Sequence, residues 1–400
     1  MIIKNNRLSR REQSQIRKEI TDLSRMMKRT EAPVTPLKKK VLSLVAKYRK
    51  DIEEEDLPRV RAYLKTFFDA QPGQPYYRVM DLREETEDNR LVIIGDTHCD
   101  FPSLCAIFEK LALSEYDYFE KATFIFLGDY LDRGAIFFEY IMLLAEFKTL
   151  LGSRCILMKG NHELIRYEEA SGQLESLVYP ANTCPLLNDY CGEDKEFLRK
   201  FASYFSHLPY YILLKTRKGT DLLVHGGIPR DMYLDRCSIS PETGEMLVDG
   251  DILSVVLDNM IWSDPRHDAR KIQGGSSRFE FGREQFEAFA ERSRVDRLFR
   301  SHEPVENGME AYYDGRLYTI FSNGGAQNAI TGYPDVVNPV FAIFSAEGDV
   351  RFESVYFKKF VAVSGLSTYS TVLYNGGPAT DIGPIPEVLH LNEEFYIINK

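Results

Sequence analysis

Apolar residues follow two patterns along the chain. At 16–27, 37–44 and 57–68 they recur every three or four positions, which predicts three amphipathic helices near the N-terminus. Beyond the proline-rich segment 71–75 they form short runs separated by helical patterns. Strands that alternate with helices predict an α/β body, classed as α+β by some schemes. The predicted strands lie at 91–95, 123–128, 155–160, 221–226 and 317–322, and residues 340–358 predict a hairpin.

The composition is that of a folded protein with a large core: 400 residues, of which 44% are hydrophobic. We expect no transmembrane segment, because no sufficiently long apolar run occurs, and no secretory signal, because the first residues lack an apolar stretch. A cytoplasmic location is therefore expected. The six cysteines form no CxxC pair, and a disulfide between Cys184 and Cys191, which share one loop-like region, is not expected in such a protein.

Charge is distributed unevenly. Residues 1–50 hold 15 Lys and Arg against 4 Asp and Glu, about +11, whereas the whole chain is −10, which leaves about −21 for residues 51–400. A basic arm can meet nucleic acid or an anionic membrane surface. Docking of the arm on the acidic body of its own chain is the favoured interpretation, and nucleic acid is not expected as a partner.

Potential metal ligands follow the predicted strands within a residue or two. Carboxyl ends of strands in an α/β sheet face a common crevice, and the neighbouring glycines let the backbone approach closely. Aspartate, asparagine and histidine together suit Mn, Fe or Zn, and a carboxylate can bridge two ions as a clamp at phosphorus. One motif alone would be weak, but five in order are specific. They are Gly95-Asp96-Thr97-His98, Gly128-Asp129-Tyr130-Leu131-Asp132-Arg133-Gly134, Gly160-Asn161-His162-Glu163, His225-Gly226-Gly227 and Arg300-Ser301-His302-Glu303.

These motifs resemble those of the phosphoprotein phosphatase family of metallophosphoesterases, which shows GDxHG, GDxxDRG, GNHE, HGG and a late Arg-x-His. The WSDP at 262–265 and the FEFG at 279–282 also match, and the likeness covers roughly residues 88–358. The resemblance implies a βαβ-based sandwich of two sheets, flanked by helices. The expected regions are a basic helical extension at 1–80, a catalytic domain at 81–360 and a C-terminal extension at 361–400.

The resemblance also implies the roles of individual residues. Two divalent or trivalent ions (Mn, Fe or Zn) would be bound, the first by Asp96, His98 and Asp129, the second by Asn161, His225 and His302, with Asp129 bridging. The implied reaction is hydrolysis of a phosphomonoester by in-line attack of a metal-bridging hydroxide. His162 would be the general acid, oriented by Asp132, and Arg133 and Asn161 would bind the phosphate. The implied substrate is a protein phosphorylated on Ser or Thr, or a small phosphoester.

Departures from the family pattern concentrate where substrate would bind. Cys99 replaces the glycine that follows GDxH, and Gly275 stands where the family has a second phosphate-binding arginine. Arg278, three residues later, is predicted to substitute for that arginine through a shifted loop. The loop 323–328 carries no aromatic residue where the family has a tyrosine over the active site. These departures leave the substrate open.

Three other functions are compatible with parts of the sequence. Hydrolases of dinucleoside polyphosphates share GDxxDRG and GNHE, although WSDP, FEFG and the chain length argue against that class. A catalytically inactive binding scaffold is a second alternative, and the complete ligand set argues against it. A nucleic-acid-associated phosphodiesterase is the third; it predicts salt-sensitive binding that disappears on deletion of residues 1–50.

Overall fold

The computed structural model describes residues 34–49, 51–71, 73, 75–86, 88–267, 278–325, 328, 330–355, 370–373 and 396–399. Its helices are α1 (Pro36–Tyr48), α2 (Leu57–Asp69), α3 (Phe101–Ala112), α4 (Tyr118–Lys121), α5 (Phe137–Leu151), α6 (Thr183–Cys191), α7 (Lys195–Ser206), α8 (Asp231–Leu234), α9 (Leu253–Met260) and α10 (Arg283–Ser293). Its strands are β1 (Tyr77–Asp81), β2 (Arg90–Ile94), β3 (Thr123–Phe126), β4 (Cys155–Leu157), β5 (Ile165–Glu168), β6 (Gln173–Ser176), β7 (Tyr211–Thr216), β8 (Gly219–Val224), β9 (Cys237–Ile239), β10 (Met246–Val248), β11 (Ser263–Pro265), β12 (Phe279–Phe281), β13 (Arg297–Arg300), β14 (Met309–Tyr312), β15 (Leu317–Ile320), β16 (Val340–Ser345), β17 (Val350–Ser354), β18 (Ser370–Leu373) and β19 (Tyr396–Asn399).

The predicted elements are confirmed wherever they fall within these ranges. The helices expected at 37–44 and 57–68 are α1 and α2, and the five apolar runs correspond to β2, β3, β4, β8 and β15. The hairpin expected at 340–358 is β16 and β17, which pair antiparallel. The helix expected at 16–27 lies outside the described residues.

Two large sheets form the body, as the predicted α/β sandwich requires. One has the order β17-β16-β2-β3-β4, and the other has the order β1-β7-β8-β13-β15-β14. β2, β3 and β4 run parallel, as do β8, β13 and β15, so the carboxyl ends within each group lie at one edge. An isolated parallel bridge between Asp96 and Phe321 joins the chain just beyond β2 to the chain just beyond β15.

Side chains alternate between the two faces of each sheet. In β2, Leu91 and Ile93 belong to the core between the sheets, whereas Val92 and Ile94 belong to the core that the helices cover. In β7, Ile212 faces the inner core and Leu213 faces a third core on the far side of the second sheet. This period of two explains why the strands read as continuous apolar runs: both of their faces are buried.

The helices α1 and α2 pack on the body rather than standing apart from it. Val41 and Leu64 are part of the same buried cluster as the helices that flank the first sheet. The ammonium group of buried Lys38 donates to the carbonyl of Ala112 at 3.1 Å, and Arg49 forms a buried ion pair with Glu109. Residues 1–33 lie outside the described residues, so docking of the whole basic arm stays a prediction.

Two further expectations meet the structure here. Strand β1 pairs with β7 in the second sheet, so the boundary predicted between residues 80 and 81 would cut through a strand of the body. All six cysteines are buried free thiols, and Cys184 and Cys191 are not joined. Within the described ranges no helix combines the length and apolar character needed to cross a bilayer.

Candidate metal centre and active site

The predicted ligands come together where the strands of both sheets end. Asp96 and His98 follow β2, Asp129 follows β3, Asn161 and His162 follow β4, His225 follows β8 and His302 follows β13. All of these side chains are buried, with at most 7% of any residue exposed. Carboxyl ends of parallel strands meet at one edge, which explains how residues up to 206 positions apart converge, as His302 and Asp96 do through a 3.1 Å hydrogen bond.

A first group of donor atoms surrounds Nε2 of His98. This nitrogen lies 3.5 Å from Oδ2 of Asp96 and 3.3 Å from Oδ2 of Asp129. The other ring nitrogen, Nδ1, lies 2.8 Å from the carbonyl of Leu131. A proton on Nδ1 donated to that carbonyl leaves Nε2 with a free electron pair directed at the two carboxylates.

A second group surrounds Nε2 of His225. It lies 3.1 Å from Oδ1 of Asn161, 3.2 Å from Nδ1 of His302 and 3.4 Å from Oδ1 of Asp129. Nδ1 of His225 lies 3.0 Å from the carbonyl of Leu127, which orients this ring as the Leu131 carbonyl orients His98. Asp129 therefore presents one oxygen to each group, which is the arrangement a bridging carboxylate needs.

Unpaired atoms and charge indicate that these residues suit cations. Within the described part of the chain, Oδ2 of Asp96 is buried without a hydrogen-bond partner. A carboxylate oxygen in that condition is costly to bury, and a cation between Asp96, His98 and Asp129 would remove the cost. Nitrogen and oxygen donors in one set also match the preference of Mn, Fe and Zn.

Histidine pKa values are consistent with this reading. Burial alone would lower the pKa of His98, but the nearby carboxylates of Asp96 and Asp129 raise it to about 9. The local field thus favours a positive charge at the first group. Burial holds the pKa of His302 well below its usual value, so this residue offers a neutral imidazole, the form that binds metals. Burial would also lower the pKa of His225, but the charges of Asp129 and Asp96 raise it.

The backbone is strained at several of these site residues. His98, Asp129, Asp132, Arg133 and His302 are non-glycine residues with φ between 41° and 71°. Such left-handed conformations cost free energy and persist where the surroundings determine them, as at functional sites. At Gly160 a Cβ would lie 2.2 Å from Oδ1 of Asp129, so this position requires glycine.

Glu163 is a functional residue to which sequence reasoning assigned no role. Its buried carboxylate accepts hydrogen bonds from the backbone N–H groups of Asp129 (2.8 Å), Tyr130 (2.9 Å) and Gly160 (2.9 Å). Burial and the charge of Asp129 raise the pKa of Glu163 to about 7. The available signal was the glutamate that ends the GNHE motif. Its carboxylate ties the loop after β3 to the loop after β4.

The structure pairs His162 with Asp132 at the side of the two groups. Nδ1 of His162 lies 2.7 Å from Oδ2 of Asp132. The other oxygen of Asp132 accepts from the backbone N–H groups of Asn182 (2.9 Å) and Thr183 (2.8 Å), at the start of α6. Burial would raise the pKa of Asp132, but these bonds and the contact with His162 lower it. Residues 167–196 form an insert between the GNHE motif and the next segment that matches the family, and this insert anchors the aspartate through α6.

The two arginines predicted to bind phosphate differ in their surroundings. Arg133 has an exposed side chain, and its backbone N–H donates to Oδ1 of Asn182 at 2.7 Å. Nε of Arg278 donates to Oδ2 of Asp264 at 2.6 Å, and Oδ1 of Asp264 lies 3.8 Å from Nε2 of His302. Arg278 is therefore at the edge of the second group but engaged with a carboxylate. Gly275 lies outside the described residues.

An aromatic ring covers the rim of the site from a position beyond the loop 323–328. Residues 323–328 contain none, but Tyr333 follows, and its ring centroid lies 5.2 Å from that of His98 and 6.0 Å from Cζ of Arg133. Asn328 donates to both carboxylate oxygens of Asp100, at 2.9 and 2.7 Å, and so attaches this loop to the N-cap of α3. Tyr333 lies five residues beyond the loop 323–328, in which a family tyrosine was sought.

Cys99 and the three histidines that match no ligand motif, His207, His267 and His390, have no part in the two donor groups of the described residues. Cys99 is a buried thiol whose Sγ lies 3.2 Å from the carbonyl of Tyr130, and burial raises its pKa, so it is not an activated nucleophile. His267 is more than half exposed and lies 3.2 Å from Glu310, while His207 follows α7 at the surface. His390 lies outside the described residues.

This chain is similar to a known family of phosphoesterases and to several protein phosphatases. The family model for calcineurin-like phosphoesterases matches residues 89–306. Human serine/threonine-protein phosphatase 5 is 29% identical over 245 residues, which cover 59% of this chain and 43% of that protein, so the chain spans less than half of this relative. The serine/threonine-protein phosphatase 4 catalytic subunit of Saccharomyces cerevisiae is 27% identical over 273 residues, which cover 65% of this chain and 79% of that protein. A solved serine/threonine phosphatase of Saccharomyces cerevisiae, described as similar to human phosphatase PP5, has a TM-score of 0.53 at 20% identity and covers 76% of this chain and 90% of its own.

Proposed function

Because this chain belongs to the calcineurin-like phosphoesterase family, we propose that it is a metal-dependent protein serine/threonine phosphatase. The observation that carries the proposal is the pair of donor groups that share Asp129, with His162 and Asp132 beside them. Two donor groups on one carboxylate suit two ions, and a histidine held by an aspartate suits proton transfer to a leaving group.

Asp96, His98 and Asp129 would hold one ion, and Asn161, His225 and His302 the other, with Mn, Fe or Zn as candidates. When bound, the ions supply positive charge for the phosphate oxygens and make water a stronger nucleophile at neutral pH. Asp129 would fix their spacing through its two oxygens. Glu163 supports this by holding the backbone of Asp129 from the neighbouring loop.

His162 would donate the proton that the leaving alkoxide needs. Its Nδ1 faces Asp132 at 2.7 Å, so the ring orientation is fixed and Nε2 is left for the substrate. Asp132 holds its own position through the N–H groups at the start of α6, which stabilise its charge. The Asp132 carboxylate thus fixes the direction in which the imidazole presents its proton to a leaving group.

Arg133 would bind the phosphate, because its guanidinium offers a planar fork of donors to phosphate oxygens. Its exposed side chain and the nearby ring of Tyr333 support this role, since an arginine at a substrate entrance must be reachable. Arg278 would contribute less while it is engaged with Asp264. Asn161 would contribute an oxygen ligand next to the phosphate.

A phosphorylated protein is the proposed substrate, with hydrolysis of dinucleoside polyphosphates as the alternative. The named relatives are serine/threonine-protein phosphatases, and the match to the phosphatase 4 catalytic subunit extends over 79% of that protein. The alternative is supported only by motifs that both classes share.

The test uses the purified full chain. With Mn²⁺ added, we expect hydrolysis of p-nitrophenyl phosphate and of a phosphoserine peptide, and a much lower rate with diadenosine tetraphosphate. Chelation and gel filtration should abolish the activity, and Mn²⁺ should restore it. Preferred hydrolysis of the dinucleotide would select the alternative, and activity that survives chelation unchanged would contradict the metal-dependent proposal.

The basic N-terminal arm is proposed to dock on the acidic body. The packing of α1 and α2 and the buried pair of Arg49 with Glu109 support this, because the chain entering α1 already lies against the body. Proteolysis within residues 1–33 should be slow in low salt and faster in 0.5 M NaCl, since salt screens attraction between exposed charges. Equal cleavage rates in both buffers would oppose docking.

A further inference from the structure

Two exposed apolar side chains stand close together beside the candidate active site. Leu177 is 59% exposed and Tyr179 is 92% exposed, while Val178 between them is buried at 7%. Among the large hydrophobic side chains exposed in the described residues, these are the two that lie within two positions of each other. Neither has a role in the chemistry described above.

The backbone connects this pair to the catalytic loops on both sides. The N–H of Leu177 donates to the carbonyl of Leu164 at 2.9 Å, two residues after His162. Three residues after Tyr179, Asn182 accepts the backbone N–H of Arg133 and its own N–H donates to Asp132. The exposed pair therefore lies on a segment whose first residue is bonded to the loop of the general acid and whose last residue is bonded to the loop of the phosphate-binding arginine.

Charged side chains around the hairpin of β5 and β6 are already paired. Arg166 on β5 lies 2.7 Å from Glu175 on β6, and Arg199 on α7 lies 2.7 Å from Glu169 in the hairpin turn. These ion pairs neutralise the hairpin that precedes Leu177, so the exposed side chains of Leu177 and Tyr179 are the feature that this region offers to a partner. Exposed aromatic and aliphatic residues that are grouped beside a site mark a binding surface more often than single exposed apolar residues do.

We propose that Leu177 and Tyr179 dock an apolar side chain of the substrate polypeptide next to its phosphorylated residue; this rests on the proposed phosphatase function. His162 protonates the leaving oxygen, and in a protein substrate that oxygen belongs to the polypeptide. The polypeptide must therefore pass on the side of His162, where the segment bonded to Leu164 presents the pair.

The segment is held in place before any substrate arrives. Oγ of Ser176 donates to the carbonyl of Val178 and accepts its N–H, each at 3.1 Å, and the Val178 side chain is buried. A surface that is already ordered loses little conformational entropy on binding, so two side chains suffice for a measurable preference.

The test compares two phosphoserine peptides that differ only in the residues flanking the phosphoserine, leucine and phenylalanine in one and serine in the other. The wild-type chain is expected to favour the apolar peptide in kcat/KM by about tenfold, the size of effect that one buried anchor provides. Leu177→Ser/Tyr179→Ser should remove this preference, whereas Tyr179→Phe should keep it. Leu247→Ser is the matched control, because Leu247 is 50% exposed on β10, outside the insert.

The outcomes separate this inference from the proposed function. An unchanged preference in the double variant, with a normal thermal melt, overturns the docking surface while the phosphatase function stands. Loss of the preference in Leu247→Ser as well would also overturn it. A wild-type chain that hydrolyses neither peptide nor p-nitrophenyl phosphate overturns the proposed function, and the docking surface with it. Faster hydrolysis of diadenosine tetraphosphate that is lost in Tyr179→Ser would reassign the ring to stacking on a nucleobase.

Discussion

The ligand groups and the rim that faces substrate are built differently. Asp96 and His225 are fully buried and come from the ends of strands, whereas Arg133 is exposed and Arg278 has 47% of its side chain accessible. The rim is made of loops and an insert, with Tyr333 brought over the site by a hydrogen-bonded loop. The sheets therefore position the residues on which the reaction type depends. Substrate preference depends on the loops of the rim, which can vary without disturbing the sheets.

The largest effect is expected from removing the negative charge of Asp129, which both ligand groups share. Asp129→Asn should lower kcat/KM for p-nitrophenyl phosphate on the order of 10³-fold or more, because one substitution weakens both groups. Bound metal, measured by mass spectrometry of the purified chain, should fall at the same time.

The matched control for that substitution is Asp349→Asn. Asp349 lies in the turn between β16 and β17 and forms an exposed ion pair with Lys218, so its loss should change neither metal content nor rate. Full activity in Asp129→Asn would show that Asp129 is no part of the metal centre.

The next largest effect is expected at the general acid. His162→Ala should reduce hydrolysis of a phosphoserine peptide by about 10²–10⁴-fold. The loss should be much smaller with p-nitrophenyl phosphate, because p-nitrophenolate is a weak base that needs little protonation. Asp132→Asn should give the same pattern in weaker form. Equal losses on the two substrates would mean that His162 does not protonate the leaving group.

The ligand groups could be read from the sequence because each motif is local. Asp129 and His162 each follow an apolar run by a few residues, and the glycine beside them permits the turn. Parallel strands bring such ends together without further information. The positions of α1 and of the hairpin at 340–358 were predictable for the same reason, since their periodicity is contained within a short segment.

The rim could not be read in this way. Tyr333 lies over His98 in a loop that long-range contacts hold, among them the hydrogen bond between Asn328 and Asp100, 228 positions apart. The anchoring of Asp132 by α6 likewise depends on how an insert folds back on the GDxxDRG loop. Long-range contacts of polar side chains leave no periodic pattern, so a single sequence gives no signal for them.

The two arginines sharpen the comparison within the rim. Arg133→Ala should lower kcat/KM by about 10- to 100-fold, because a bidentate, charge-assisted contact with phosphate is lost. Arg278→Ala should cost only a few-fold, because Arg278 is bonded to Asp264 at 2.6 Å. Steady-state kinetics of both variants on one phosphopeptide measure this. A larger loss in Arg278→Ala would mean that it releases Asp264 and serves as the second phosphate-binding arginine.

The smallest effect is expected at the bond that holds the rim loop. Asn328→Asp sets a second carboxylate against buried Asp100, and should lower the free energy of unfolding by about 1–3 kcal/mol and raise KM a few-fold by loosening Tyr333. The double variant Asp100→Asn/Asn328→Asp exchanges the carboxylate and the amide. It should recover much of the lost free energy of unfolding and of the change in KM, since asparagine is also a good N-cap for α3. Thermal melts and KM values of the wild-type chain, Asn328→Asp and the double variant measure these changes. A double variant no better than Asn328→Asp would show that the pair acts on neither the loop nor the ring of Tyr333.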